Sequence, residues 1–102
     1  MVHVIATLEI APGKRDEYLA LFADLVPKVK AEQGCIAYGP TIDVDSGLGP
    51  QQPVRDNVVT VVEQWESLDA LSAHIAAPHM AEYKEAVKDI VVGLDLQVLK
   101  PV

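Results

Sequence analysis

The side chains best suited to acid–base chemistry in this chain are two histidines, His74 and His79. Imidazole titrates near neutral pH, so either one could act as a general base toward a phenol or quinol hydroxyl group. Each also has a structural interpretation, in which His74 fixes a turn by hydrogen bonding and His79 lies on the surface in a first helical turn. The remaining histidine, His3, is expected to be an ordinary half-buried strand residue. His74 and His79 are therefore the candidate catalytic residues.

Four further residues are candidates for binding a substrate. Glu63 and Trp65 are two positions apart in a predicted strand, so they share a face, where an indole could stack on an aromatic ring and a carboxylate could orient a polar group. The alternative is a core tryptophan beside a carboxylate that is bonded to a neighbouring donor. Tyr38 and Tyr83 could add phenolic hydroxyl groups to the same cavity, or could be core rings with one polar tip.

Metal and nucleophile sites are not favoured by the spacing of the residues. His74 and His79 are five positions apart with Pro78 between them, which is not the i, i+4 spacing of a helical metal pair. A three-ligand site that adds Glu63 is conceivable, but the sequence predicts no metal. Cys35 has no neighbouring histidine and is interpreted as a small buried hydrophobic residue. Phosphate-loop, dinucleotide-binding and nucleophilic-serine motifs do not occur.

The elements that would position these residues begin with a strand and a helix. From Val2 to Ile10 an apolar residue occupies every second position, which is typical of a half-buried strand. From about Lys14 to Glu32 the apolar residues follow a helical period, and Gly34 is placed to end the helix in a left-handed conformation. Pro27 inside this segment predicts a kink or a break, because proline removes a helical hydrogen bond.

The rest of the chain predicts three strands and a second helix in two pieces. The strands are expected at about 35–44, 58–65 and 94–99, and a long polar loop at 45–57. Ser67 is predicted to cap the second helix, Pro78 to restart it and Gly93 to end it. The order β-α-β-β-α-β is that of a ferredoxin-like α+β fold with a four-stranded antiparallel sheet and helices on one face.

The strand at 58–65 carries apolar residues on both faces. Val58 and Val62 point to one side, and Val59 and Val61 point to the other. A strand that is wet on one side would alternate apolar with polar residues, and the chain has enough helix to cover only one face of its sheet. We therefore expect a homodimer in which a second copy covers the other face.

Length and charge exclude several classes of partner. The 102 residues suit one domain, residues 1–102, and its net charge is −7, with the basic residues scattered. Binding to nucleic acid or to an anionic membrane surface is disfavoured, because both need clustered lysine and arginine. The sequence contains no apolar run long enough for a membrane span and no signal-peptide pattern, so a cytoplasmic location is expected.

Several short motifs are spread over nearly the whole chain: Pro12-Gly13-Lys14, Glu32 to Tyr38, Glu63 to Leu71, His74, and Pro78-His79-Met80. In type and spacing they resemble the antibiotic biosynthesis monooxygenase family. The resemblance implies a dimeric α+β barrel. It also implies one of several activities, since the family includes cofactor-independent oxygenases of phenols and quinols, haem-degrading enzymes and a sugar isomerase.

Two features depart from the family pattern. The loop at 45–57 is longer than usual and could reshape the cavity mouth or extend a dimer contact. The haem-degrading members use an asparagine on the first strand and a histidine in the last helix, where this chain has Ala6 and Thr7 and no histidine from Glu82 to Lys88. Because an axial ligand is indispensable to a haem site, the sequence predicts no haem and no other cofactor.

The leading functional hypothesis is a cofactor-independent monooxygenase that acts on a small electron-rich phenol or quinol in a cavity between sheet and helices. His74 or His79 would remove the phenolic proton, and the anion would then react with O₂. A second hypothesis is an isomerase or dehydratase that uses the same histidines without oxygen. A third is a dimeric small-molecule-binding protein without chemistry, which a filled space between sheet and helices would favour.

Overall fold

The computed structural model describes residues 1–102 and contains four strands and three helices. In chain order these are β1 (Val2–Ile10), α1 (Arg15–Lys30), β2 (Cys35–Thr41), β3 (Val58–Trp65), α2 (Leu68–Ile75), α3 (Pro78–Val87) and β4 (Val91–Leu99). The strand order in the sheet is β2-β3-β1-β4, and every neighbouring pair is antiparallel. The predicted ferredoxin-like α+β architecture is thereby confirmed, with the second helix divided into α2 and α3.

The helices cover one face of the sheet and leave the other uncovered. The inner face carries alternate residues of β1, such as Val4 and Ile10, which are fully buried against the helices together with Phe22 of α1. The outer face carries the intervening residues and has no helix over it. Val62 on this face is 42% exposed, whereas its neighbour Val61 on the inner face is buried. One chain therefore covers one face only, as the apolar pattern of β3 requires.

Helix α1 passes through Pro27 as one element, so the predicted break does not occur. Proline lacks an N–H group and cannot donate to the preceding turn, so α1 loses one hydrogen bond at Pro27 but continues to Lys30. The backbone N–H of Ala31 still donates to the Pro27 carbonyl, at 3.2 Å. The helix ends at Lys30, and Gly34 follows in the turn to β2 with φ +86°, the left-handed conformation predicted for it.

The start of α2 and the division from α3 follow the sequence pattern. The Ser67 hydroxyl accepts a hydrogen bond from the Ala70 N–H at 3.1 Å, which confirms the predicted N-cap. Pro78 occupies the first turn of α3, where its missing N–H is tolerated. Ala77 between the two helices is extended, so the chain turns and the helical stripe restarts in a new direction.

The last helix ends, and the last strand begins, earlier in the sequence than predicted. Helix α3 ends at Val87, and β4 begins at Val91, so the prediction that Gly93 ends the helix is wrong. Gly93 instead lies within β4 and pairs with Glu9 of β1. From Val91 onward the chain can pair with β1 along its whole length. The hydrogen bonds of this pairing stabilise a strand, although the apolar residues up to Val91 follow a helical period.

Strand β2 also ends early, at Thr41, so the connection to β3 covers residues 42–57. This loop is closed by an ion pair in which the Arg55 guanidinium donates two hydrogen bonds to the Asp43 carboxylate, at 2.8 and 2.9 Å. The Arg55 N–H donates to the same carboxylate, at 2.9 Å. No helix of the structure has both the length and the hydrophobicity that a membrane crossing requires.

Candidate active site

The main cavity of the structure lies between the inner face of the sheet and the helices, and has a volume of about 510 Å³. This falls within the usual range for sites that bind small organic molecules. Twelve of its sixteen lining residues are hydrophobic. The ionisable side chains on its wall are Glu63, His74, Lys84 and Lys88, together with the phenols Tyr38 and Tyr83. The chamber is therefore apolar, with a few polar groups that can orient a ligand.

His74 is the histidine that lines this cavity. It lies in α2, is only 3% exposed, and is held on three sides. Its ring packs against the Trp65 indole with a centroid separation of 4.6 Å and against the edge of Tyr38 at 5.5 Å. Its Nδ1 lies 2.8 Å from the Glu32 carboxylate. Because an ionised carboxylate only accepts, Nδ1 donates in this bond, and in the neutral imidazole Nε2 then has the lone pair.

His79 does not line the main cavity. Its Nε2 lies 2.8 Å from the same Glu32 oxygen that contacts His74, so the two predicted catalytic histidines meet at one carboxylate and not at one substrate chamber. Glu32 appeared in the sequence only as part of a helix-end motif. Its role depends on contacts across 42 and 47 residues of chain, which no local spacing reveals.

Glu63 and Trp65 lie on the inner face of β3 and bond to each other. The indole Nε1 donates to the Glu63 carboxylate at 2.9 Å. Trp65 is fully buried and does not line the cavity, whereas Glu63 does, although it is only 5% exposed. Burial raises the pKa of Glu63, and the hydrogen bond from Trp65 and the nearby His74 oppose this only in part. Glu63 is therefore a carboxyl group that keeps its proton to a higher pH than an exposed glutamate does.

The two candidate tyrosines, Tyr38 and Tyr83, both line the cavity. They flank Phe22, whose ring stacks on Tyr38 with centroids 5.5 Å apart and meets the edge of Tyr83 at 5.9 Å. The Tyr83 hydroxyl also forms a hydrogen bond with the hydroxyl of Tyr18, which is fully buried. Burial raises the pKa of both cavity tyrosines, so they keep their protons near neutral pH and act as hydrogen-bonding groups.

The cavity opens beside β4, where the helices do not cover the inner face of the sheet. Leu94 and Leu96 line this opening and are largely exposed. Lys84 and Lys88 of the α3 end stand on the same wall, and the Lys88 ammonium pairs with Glu85 at 2.6 Å. A flat apolar molecule can therefore enter along the β4 leucines toward the polar groups.

Glu32, His74 and His79 also form the one cluster in the structure that offers three metal-ligating atoms close together, all within 4.8 Å of one another. The three-ligand set considered from the sequence contained Glu63 in place of Glu32. Cys35 is half-buried and packs against the core, in keeping with a small hydrophobic residue. Burial and the nearby Glu32 carboxylate raise the pKa of its thiol, which disfavours the nucleophilic thiolate.

Comparison with known proteins gives one family. The model of the family described as antibiotic biosynthesis monooxygenase matches residues 1–86. The chain is 41% identical over 103 aligned positions to YgiN of Escherichia coli, a probable quinol monooxygenase, covering 99% of this chain and 98% of that protein. An uncharacterised protein of Synechocystis is 26% identical over 85% of this chain and 53% of its own length.

Solved structures agree with this fold. A candidate antibiotic biosynthesis monooxygenase from Caulobacter crescentus superposes with a TM-score of 0.82 at 29% identity, covering 99% of this chain and 89% of that one. Another from Deinococcus radiodurans gives a TM-score of 0.81 at 22% identity, covering 100% and 93% of the two chains. At that lower identity the likeness establishes the fold alone.

Proposed function

The chain belongs to the antibiotic biosynthesis monooxygenase family, and on this premise we propose that it oxidises a small phenolic or quinol substrate with O₂. The observation that carries the proposal is the placement of His74. A buried imidazole is fixed by Glu32 on one side and lines an apolar cavity of about 510 Å³ on the other. This is the arrangement that a general base for a phenolic hydroxyl group requires.

His74 acts first, by taking the phenolic proton at Nε2 while Nδ1 donates to Glu32 at 2.8 Å. The Glu32 carboxylate stabilises the imidazolium that forms, because it lies next to the ring that becomes positive. Trp65 and Tyr38 hold the ring plane, so little reorganisation accompanies the proton transfer. Glu32 is thus a positioning residue for the base.

The oxygen chemistry is then carried by the substrate. The phenolate gives one electron to O₂, and the two radicals combine to form a C–O bond at a ring carbon that bears hydrogen. Loss of water breaks the O–O bond and leaves a carbonyl group at that carbon. The substrate loses its phenolic hydrogen and one ring hydrogen, the product keeps one oxygen atom, and the other leaves as water. The balance needs no external reductant.

The remaining wall groups orient and enclose the anion. When it is protonated, Glu63 can donate a hydrogen bond to a second substrate oxygen, as can the phenols of Tyr38 and Tyr83. Apolar walls exclude water, which strengthens these hydrogen bonds and protects the radical pair. The open cavity counts against a binding module whose interior is filled by side chains, although Trp65 and His79 do not line it.

The experiment is oxygen uptake with a panel of naphthols and quinols, menadiol among them, against a buffer control for autoxidation. The proposal predicts enzyme-dependent uptake and, under ¹⁸O₂, one labelled oxygen atom in the product and one in water. Rates equal to the buffer control across the panel would contradict it. Turnover of a substrate without oxygen would instead favour an isomerase or dehydratase that uses the same histidine.

We also propose that a second copy of the chain covers the outer face of the sheet. Val62 and Leu99 on this face are 42% and 43% exposed, and Ile5, which pairs with Val62, is half-buried. Two such faces packed together would bury these apolar residues and form a barrel with the helices outside. The cavity lies on the inner face, so each copy would keep a complete chamber.

A further inference from the structure

His79 has no part in the proposed substrate binding, but it contacts the same Glu32 carboxylate that holds His74. Glu32 follows α1, His74 lies in α2, and His79 lies in the first turn of α3. Both ring nitrogens lie 2.8 Å from one oxygen of Glu32. Positioning His74 requires only one of these two contacts. The second histidine creates a cluster of three ligating atoms within 4.8 Å of one another.

The chemistry of this cluster suits a divalent cation. Two imidazole nitrogens and one carboxylate are the protein ligands of many zinc sites, with water in the open position. With neutral imidazoles and an ionised carboxylate the set carries one negative charge. The ion pairs of Glu32 are with these two histidines and with no lysine or arginine, so no resident cation competes.

The size and access of the cluster also fit. Tetrahedral zinc with bonds of about 2.0–2.1 Å separates its ligand atoms by about 3.3 Å. The two glutamate–histidine separations of 2.8 Å need to open by roughly half an ångström, and the two histidine nitrogens, now within 4.8 Å of each other, need to come to that same spacing. Side-chain rotation in Glu32 and His79 can supply both changes. These two side chains are 14% and 22% exposed, so an ion and its water ligand can reach them from solvent, while His74 closes the site from within.

We propose that Glu32, His74 and His79 form a binding site for a divalent metal ion of the zinc type, and that the bound ion withdraws His74 from its role as a base. The ion takes the Nδ1 lone pair, so the single proton of the neutral imidazole moves from Nδ1 to Nε2. The nitrogen toward the cavity is then an N–H donor and accepts no proton. The binding part stands on the cluster alone, whereas the loss of activity rests on the proposed function.

The first test is calorimetric titration of the untagged protein with Zn²⁺. One ion should bind per chain, and His79→Gln and Glu32→Gln should each weaken binding by at least about tenfold, since loss of even an outer partner of a metal site has that effect. His3→Gln is the matched control, because it removes the remaining histidine from the outer face and should bind zinc as the unaltered chain does. Thermal melts of each variant establish that it is folded.

The second test reads the proton on His74 directly. Long-range ¹H–¹⁵N spectra should show the Nε2 of His74 change from a lone-pair nitrogen to an N–H nitrogen when zinc is added, and this readout does not depend on a substrate. Where quinol oxidation is measurable, saturating zinc should slow it by about 10²-fold, the usual share of a general base, and His79→Gln should lose this inhibition. Absence of zinc binding, binding unchanged in both site variants, or an unchanged His74 tautomer would each overturn the proposal.

Discussion

Replacing Gly34 with alanine should destabilise the protein through a steric contact that also displaces α2, which carries His74. Gly34 has φ +86°, and a Cβ atom built there would lie 2.6 Å from the Cβ of Ala70 in α2. Two carbon atoms pack best at about 3.5–4.0 Å, so one of them must move by roughly 1 Å. Ala70 lies one helical turn before His74, so pushing Ala70 moves His74 relative to Glu32.

The magnitude has two parts. A left-handed conformation costs an alanine about 1–2 kcal/mol relative to glycine, and overpacking a filled contact costs about 1–3 kcal/mol more. Gly13→Ala isolates the first part, because Gly13 has φ +77° and nothing within 4 Å of its added Cβ. Gly34→Ala should therefore lose about 2–5 kcal/mol and Gly13→Ala about 1–2 kcal/mol. For a domain of this size each kcal/mol lowers Tm by about 4–8 °C.

The assay is thermal and urea denaturation of both variants at one fixed protein concentration, because association would make Tm depend on concentration. Adding Ala70→Gly to Gly34→Ala removes one of the two clashing atoms. The double variant should lose less than the sum of the single losses, by about 1–3 kcal/mol. Equal losses for Gly34→Ala and Gly13→Ala, or strict additivity in the double variant, would refute the contact.

Three further predictions concern burial and association. Burial raises the pKa of Glu63 above its unfolded value, so the folded state binds its proton more tightly and stability falls as pH rises from the unfolded pKa to the folded one. Glu63→Gln keeps an acceptor for Trp65 but does not titrate, so between the two pKa values the variant should gain stability relative to the unaltered chain as pH rises. The gain should be at most about 1.4 kcal/mol per pH unit in urea melts, and a difference that does not change with pH would contradict this. Tyr83→Phe should cost about 1–3 kcal/mol, because it leaves the buried Tyr18 hydroxyl unpaired, and adding Tyr18→Phe should recover most of the loss in the same melts. Sedimentation should give twice the chain mass of 11.0 kDa, and Val62→Asp on the outer face should reduce it to one chain mass, whereas a monomeric unaltered chain would exclude the dimer.

Much of the fold could be predicted because the determining signals are periodic. The alternation in β1 places Val4 and Ile10 on the buried face, and the shift to a helical period locates α1. The predictions that were wrong concern short segments whose sequence features favour different structures. Residues 91–93 continue the predicted helical segment but also have a strand partner, and pairing with β1 decides in favour of the strand. Pro27 costs α1 one hydrogen bond, and the helix nevertheless continues through it to Lys30.

The candidate site could be predicted only in part, because its contacts are remote in sequence. The shared face of Glu63 and Trp65 followed from strand geometry, but the full burial of the indole depends on His74, which packs against it from α2. The pairing of His74 and His79 with Glu32 spans 42 and 47 residues and has no periodic signature. Glu32 therefore looked like one of several acidic helix-end residues until the chain was folded.

Our proposal for the apolar cavity is that His74, fixed by Glu32, is the base of an oxygen-consuming reaction. Its most direct test is the initial rate of oxygen uptake with menadiol by His74→Gln, compared with His3→Gln as a histidine-loss control on the outer face. His74→Gln should lower kcat by about 10²-fold or more, while His3→Gln should keep the rate of the unaltered protein. A folded His74→Gln protein that consumes oxygen as fast as His3→Gln would contradict it.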